Sequence, residues 1–144
     1  MLMQVNAYTS RVASAAELRQ ELVPFASQQF REIWIRVEPG GPSLCALMNT
    51  NVLMYLRHDD GDAGFSSRNP AFAKSDPMLR GLVFDGLFDE HVPVIAYRLN
   101  NGQCDEYPAS WALPERDIMR ALEYFVEHEG RRPPLVKWHD DGLG

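Results

Sequence analysis

The chain has 144 residues, 45% hydrophobic and 24% charged, with a formal net charge of −6 and a sequence pI near 5.1. A chain this long fits a single domain over residues 1–144, able to bury about 70% of the surface its unfolded form would expose without help from metals or disulfides. The acidic balance argues against direct contact with nucleic acid, which needs clustered Lys and Arg; the one basic pair, Arg131-Arg132, is too small to line a groove.

In chain order, the first segment alternates Met3, Val5 and Ala7 and is expected to be a strand over residues 1–9. Ser14-Ala15-Ala16-Glu17 reads as a capping box, with the Ser hydroxyl taking the amide three residues on and the Glu reaching back. The helix it opens is expected to run to about Phe25, with Leu18, Leu22 and Phe25 on one face and Pro24 near its end. Residues 32–38 alternate Ile33, Ile35 and Val37 against Glu32, Trp34 and Arg36, the pattern of a half-buried strand. Leu44–Met48 and Val52–Leu56 are apolar runs around Asn49-Thr50-Asn51, predicting a hairpin central enough in a sheet to be buried on both faces.

Residues 58–76 break this regularity and read as a long polar loop. Strands are predicted at Leu79–Phe84 and Val92–Leu99, around an acidic loop from Asp85 to His91, with a further short strand at Gln103–Tyr107. The last helix is the clearest element. Pro114 suits its first position, Glu115 and Asp117 suit its positive end, and Ile118, Met119, Leu122, Phe125 and Val126 form a core-facing stripe. Gly130 suits a left-handed stop, Pro133-Pro134 prevents continuation, and Leu135–Trp138 is expected as a short closing strand. With strands in the middle and helices bracketing them, the expectation is an α+β fold: an antiparallel sheet of about five to seven strands with two helices packed on it.

The sequence carries few signs of chemistry. His58, His91, His128 and His139 are scattered, without metal-ligand spacing. Asp59-Asp60-Gly61-Asp62 resembles the start of a calcium loop, but Phe65 and Ala71 stand where a Gly and a Glu are needed. There is no nucleophile elbow and no glycine-rich phosphate loop, so neither a catalytic group, a metal nor a cofactor is expected. Cys45 and Cys104 read as buried free thiols. No basic segment followed by an apolar run opens the chain, and no stretch approaches the roughly 18 apolar residues of a membrane helix, so a cytoplasmic protein without membrane contact is expected.

What remains is a surface suited to a partner. Residues 57–91 carry four basic and seven acidic groups, and residues 99–130 carry two and seven. Such a field speeds association with a cationic partner and selects for it. Aromatics stand among the acids: Phe65 follows Asp59, Asp60 and Asp62, and Phe88 sits between Asp85 and Asp89-Glu90. An aromatic flanked by carboxylates can anchor in a basic cleft, so these eight residues are the predicted partner-binding set; the alternative is that both rings fold into the core.

The C-terminal half carries a resemblance. Glu106-Tyr107-Pro108, Leu113-Pro114-Glu115, Ala121-Leu122-Glu123-Tyr124-Phe125, Gly130-Arg131-Arg132-Pro133 and Val136-Lys137-Trp138 together resemble a family of immunity proteins from bacterial polymorphic toxin systems. That family is typically encoded beside toxins with nucleic-acid cytosine deaminase domains. The match runs from about residue 103 to 138, over positions mostly structural in kind, with Trp138 expected to cover the end of the core. The resemblance implies a non-catalytic inhibitor that blocks a basic, nucleic-acid-acting toxin domain in the cytoplasm. Two other readings stand beside it: an adaptor using the same surface for an endogenous protein, and a small hydrolase built on Asp85, Asp89 and Glu90.

Overall fold

The computed structural model describes residues 1–38, 40–48, 50–57, 63–70, 94–98 and 104–143. Among them, β1 (Leu2–Val5), β2 (Tyr8–Arg11), β3 (Arg31–Arg36), β4 (Ser43–Met48), β5 (Val52–Arg57), β6 (Ala63–Arg68) and β9 (Lys137–Leu143) form one antiparallel sheet in the order β2-β1-β3-β4-β5-β6-β9, and β7 (Val94–Arg98) and β8 (Cys104–Pro108) form a separate antiparallel pair. Two α-helices pack on the larger sheet, so the fold is α+β. The predicted strand at Leu79–Phe84 lies outside the described residues.

The first expected strand is a hairpin instead: β1 (Leu2–Val5) turns at Asn6 and returns as β2 (Tyr8–Arg11). Asn6 takes a left-handed φ of +53°, which its short polar side chain tolerates. That side chain also accepts from the Glu32 amide at 2.9 Å and donates to Gln28 at 3.0 Å, fixing the turn against the start of β3. α1 (Ala15–Leu22) begins where the capping box predicts. The Glu17 amide donates to Ser14 Oγ at 3.1 Å, and Glu17 Oε2 accepts from the Ala13 amide at 2.8 Å. The α-helix ends before Phe25, because the chain tightens into a 3-10 turn over Val23–Phe25 around Pro24, whose nitrogen cannot donate.

β3 (Arg31–Arg36), β4 (Ser43–Met48) and β5 (Val52–Arg57) follow the predicted alternation and hairpin. All six positions of β4 are buried, as its central place requires. On one face Leu44, Ala46 and Met48 join Met3, Ile33 and Ile35 beneath the helices. On the other, Cys45 and Leu47 form a smaller cluster with Trp34, Met54 and Tyr107 of β8 (Cys104–Pro108). Cys45 is a free thiol, and burial, with Glu32 nearby, pushes its pKa well above the usual thiol range.

The expected long loop contains a strand, β6 (Ala63–Arg68), between β5 and β9. Its inward positions include a serine, which hides the apolar alternation. Ser67 is fully buried but satisfied: its Oγ accepts from the Leu53 amide at 3.0 Å and donates to the Trp111 carbonyl at 2.8 Å. β7 (Val94–Arg98) lies within its predicted segment, and β8 overlaps the predicted Gln103–Tyr107, starting and ending one residue later.

α2 (Glu115–Glu127) buries Ile118, Ala121, Leu122, Phe125 and Val126, close to the predicted stripe. Pro114 precedes it as the capping residue, with extended ψ, one position earlier than expected. Gly130, at φ +86°, closes the helix and its amide donates to the Phe125 carbonyl at 2.9 Å. The closing strand starts later and runs longer than expected: β9 is Lys137–Leu143, and Leu135 is 81% exposed in the turn before it. The paired prolines hold that turn off the sheet until Val136, which is buried.

Candidate functional site

Of the eight predicted partner-binding residues, the described structure places one, Phe65. Asp59, Asp60, Asp62, Asp85, Phe88, Asp89 and Glu90 lie outside the described residues.

Strand alternation puts Phe65 and Ser67 of β6 on the helix-bearing face, opposite Asp140 and Trp138 of β9. On β5, Tyr55 pairs with Phe65 in register, and their ring centroids are 6.1 Å apart. Tyr55 also meets Phe125 edge-on at 6.3 Å and Trp138 at 6.2 Å. One tyrosine thus joins strand, helix and closing strand, and its hydroxyl donates to the Gly130 carbonyl at 3.0 Å. Trp138 packs against the core, and its Nε1 donates to the Pro133 carbonyl at 2.8 Å.

Phe65 is half-buried, resting on the core below and covered above by Arg132, whose guanidinium lies 3.9 Å from the ring centroid. Tyr55, Phe65, Arg131, Arg132 and Asp140 line an open depression of about 580 Å³. Next to it, the turn carrying Pro133, Pro134 and the exposed Leu135 forms a groove of about 250 Å³ with Leu113, Ala121 and Tyr124.

The opposite face of the same two strands is polar. Ser66, almost fully buried, donates to Asp141 at 2.9 Å and accepts from Arg68 at 2.9 Å. His139 Nδ1 lies 2.9 Å from the same Asp141 oxygen, so the carboxylate stands between serine and histidine. Ser66 and His139, opposite each other in the β6–β9 register, thus share one carboxylate oxygen in a polar network. Arg68 lies 4.0 Å over the Trp111 ring. Partial burial draws its pKa down, and Asp141 opposes that.

Sequence reading missed the depression, the projecting Leu135 and this network. The signals were faint: a basic pair bracketed by Gly130 and Pro133-Pro134, and an acidic pair, Asp140-Asp141, in the closing segment. Among the described residues there is no group of three or more His, Cys, Asp or Glu placed to hold a metal ion, and no helix long and apolar enough to cross a membrane.

Comparison with known proteins places these features in a family. Residues 12–140 match the family model described as Immunity protein Imm1. No curated protein matches the chain.

Proposed function

The chain belongs to the Imm1 family of immunity proteins, and we propose that it works as a single domain that binds and blocks one cognate toxin domain without doing chemistry itself. The family match over residues 12–140 carries this reading. The toxin is proposed to be a basic, nucleic-acid-acting domain of the deaminase type, as the resemblance in residues 103–138 implies. The site of action is the cytoplasm, where such a toxin meets its substrate.

Charge supports the pairing. A domain that grips phosphates needs cationic walls around its active site, and a chain of net charge −6 complements them. The acids Asp59, Asp60 and Asp62, just before β6, and Asp85, Asp89 and Glu90 are proposed to meet those walls, with Phe88 as an anchor. Phe65 contributes from the strand, as the half-buried floor of its depression.

The test is co-expression with the toxin-like domain encoded beside the gene, scored by host survival and co-purification. Survival with a stable complex is expected. Reversal of Asp59, Asp60 and Asp62 to Lys, or of Asp85, Asp89 and Glu90 to Lys, is expected to slow association by about tenfold or more at low salt. Host death with no complex overturns the proposal. Unchanged association in both triple variants overturns the acidic-loop interface alone.

A further inference from the structure

The depression over Phe65 has a charge opposite to that of the rest of the chain. Its lining holds two guanidiniums, Arg131 and Arg132, against one carboxylate, Asp140. Four other arginines are paired within the molecule: Arg11 with Glu38, Arg19 with Glu123, Arg31 with Glu115 and Arg116 with Asp117. Among the described residues Arg36, Arg68, Arg120, Arg131 and Arg132 make no such pair, and of these Arg131 and Arg132 are the two that share this depression.

The two arginines stand on a stiff mount. Before them, Gly130 is fixed at φ +86° and its carbonyl is taken by Tyr55 Oη at 3.0 Å. The Arg131 amide donates to the His128 carbonyl at 3.1 Å. After them, Pro133 and Pro134 restrict the chain, and the Pro133 carbonyl is held by Trp138 Nε1 at 2.8 Å. Arg132 is further restrained by its place over the Phe65 ring, 3.9 Å from the centroid. A guanidinium carries its N–H donors in its own plane, where a carboxylate can meet two of them at its edge. Less rotamer freedom is then lost when an anion binds, which is what preorganisation contributes to affinity.

We propose that this depression is a receptor for an aspartate or glutamate side chain of the toxin domain, read by Arg131 and Arg132 over the Phe65 floor. This rests on the immunity reading above and adds to it. A basic toxin is drawn by the acidic loops; one of its few acids, seated between the two arginines, fixes its register. A contact of reversed sign discriminates against other basic proteins, which would leave both arginines desolvated and unpaired.

The experiment measures the affinity of the toxin domain encoded beside the gene for the parent protein and for Arg131→Glu, Arg132→Gln and Arg132→Lys. Arg131 is exposed, so Arg131→Glu should melt like the parent and yet bind about tenfold or more weaker, mainly through faster dissociation. Arg132→Lys keeps the charge but not the planar fork, and should also weaken binding. Reversing the toxin's acids to Lys one at a time should find one that restores binding to Arg131→Glu. Parent-like binding by Arg131→Glu and Arg132→Gln overturns the proposal, as does the absence of any restoring partner change. A fluorescent single-stranded oligonucleotide that binds the parent and not Arg131→Glu would overturn it in favour of a phosphate site. Failure of the parent itself to bind takes down the immunity reading and this proposal together, whereas a tight parent complex indifferent to both arginines takes down this proposal alone.

Discussion

The two helices lie on the same face of the sheet and are held there by different means. α1 has eight residues and buries three of them, and its start is fixed by side chains within its own first turn. α2 has thirteen residues, buries five, and has no side-chain hydrogen bond at its N-terminal cap. Its end is fixed from a distance, by Gly130 against the core and by Phe125 against Tyr55 of β5. Short helices are marginal alone, so α1 leans on local capping, while α2 draws its stability from packing. The difference matters because α2 runs directly into the segment that mounts Arg131, Arg132 and Leu135. Packing of α2 and presentation of that segment are one structural event.

The largest expected effect tests the packing side of this comparison. Phe125 is fully buried and meets Tyr55 edge-on. Phe125→Ala should cost about 3–5 kcal/mol in urea unfolding, from lost transfer energy plus the cavity left behind. A loss well under 1 kcal/mol would mean that α2 is not the packing-dominated helix described.

An intermediate effect is expected where α2 stops. Gly130 has φ +86°, and a Cβ there would collide with Val37 Cγ2 and come within 3.0 Å of Pro42 Cγ. Gly130→Ala should lower stability by about 1–3 kcal/mol through backbone strain, before any cost of the collision. It should also shift the Arg131–Arg132 mount, because Tyr55 bonds to the Gly130 carbonyl. Parent-like stability in urea would show that the stop is not held by tertiary contacts.

The same contrast explains what could be read from sequence. α2, its apolar stripe and its glycine stop were legible because Ile118, Leu122, Phe125 and Gly130 signal through spacing alone. The β4–β5 hairpin was legible because continuous apolar runs mark a strand buried on both faces. β6 was hidden, since Ser66 and Ser67 reach burial through hydrogen bonds that depend on Asp141, Leu53 and Trp111, all distant in sequence. The β1–β2 turn was hidden because Asn6 is fixed by Glu32 and Gln28, which its neighbours in sequence do not announce. The proposed partner surface follows the same rule. The basic pair was visible, but only the pairing of β6 with β9 and β5 puts Phe65 and Tyr55 beneath it.

The smallest expected effect sharpens the comparison from the α1 side. Ser14→Ala removes the hydroxyl that takes the Glu17 amide, leaving an unpaired donor in a solvent-exposed first turn. The expected cost is about 1 kcal/mol in urea unfolding, with binding to the toxin domain unchanged, since α1 does not lead into the Arg131–Arg132 segment. Glu17→Gln should cost less still, because an amide oxygen can accept from the Ala13 amide as the carboxylate does. If Ser14→Ala weakened binding as much as stability, the two helices would not be separable. The local capping of α1 would then contribute to the surface that α2 presents.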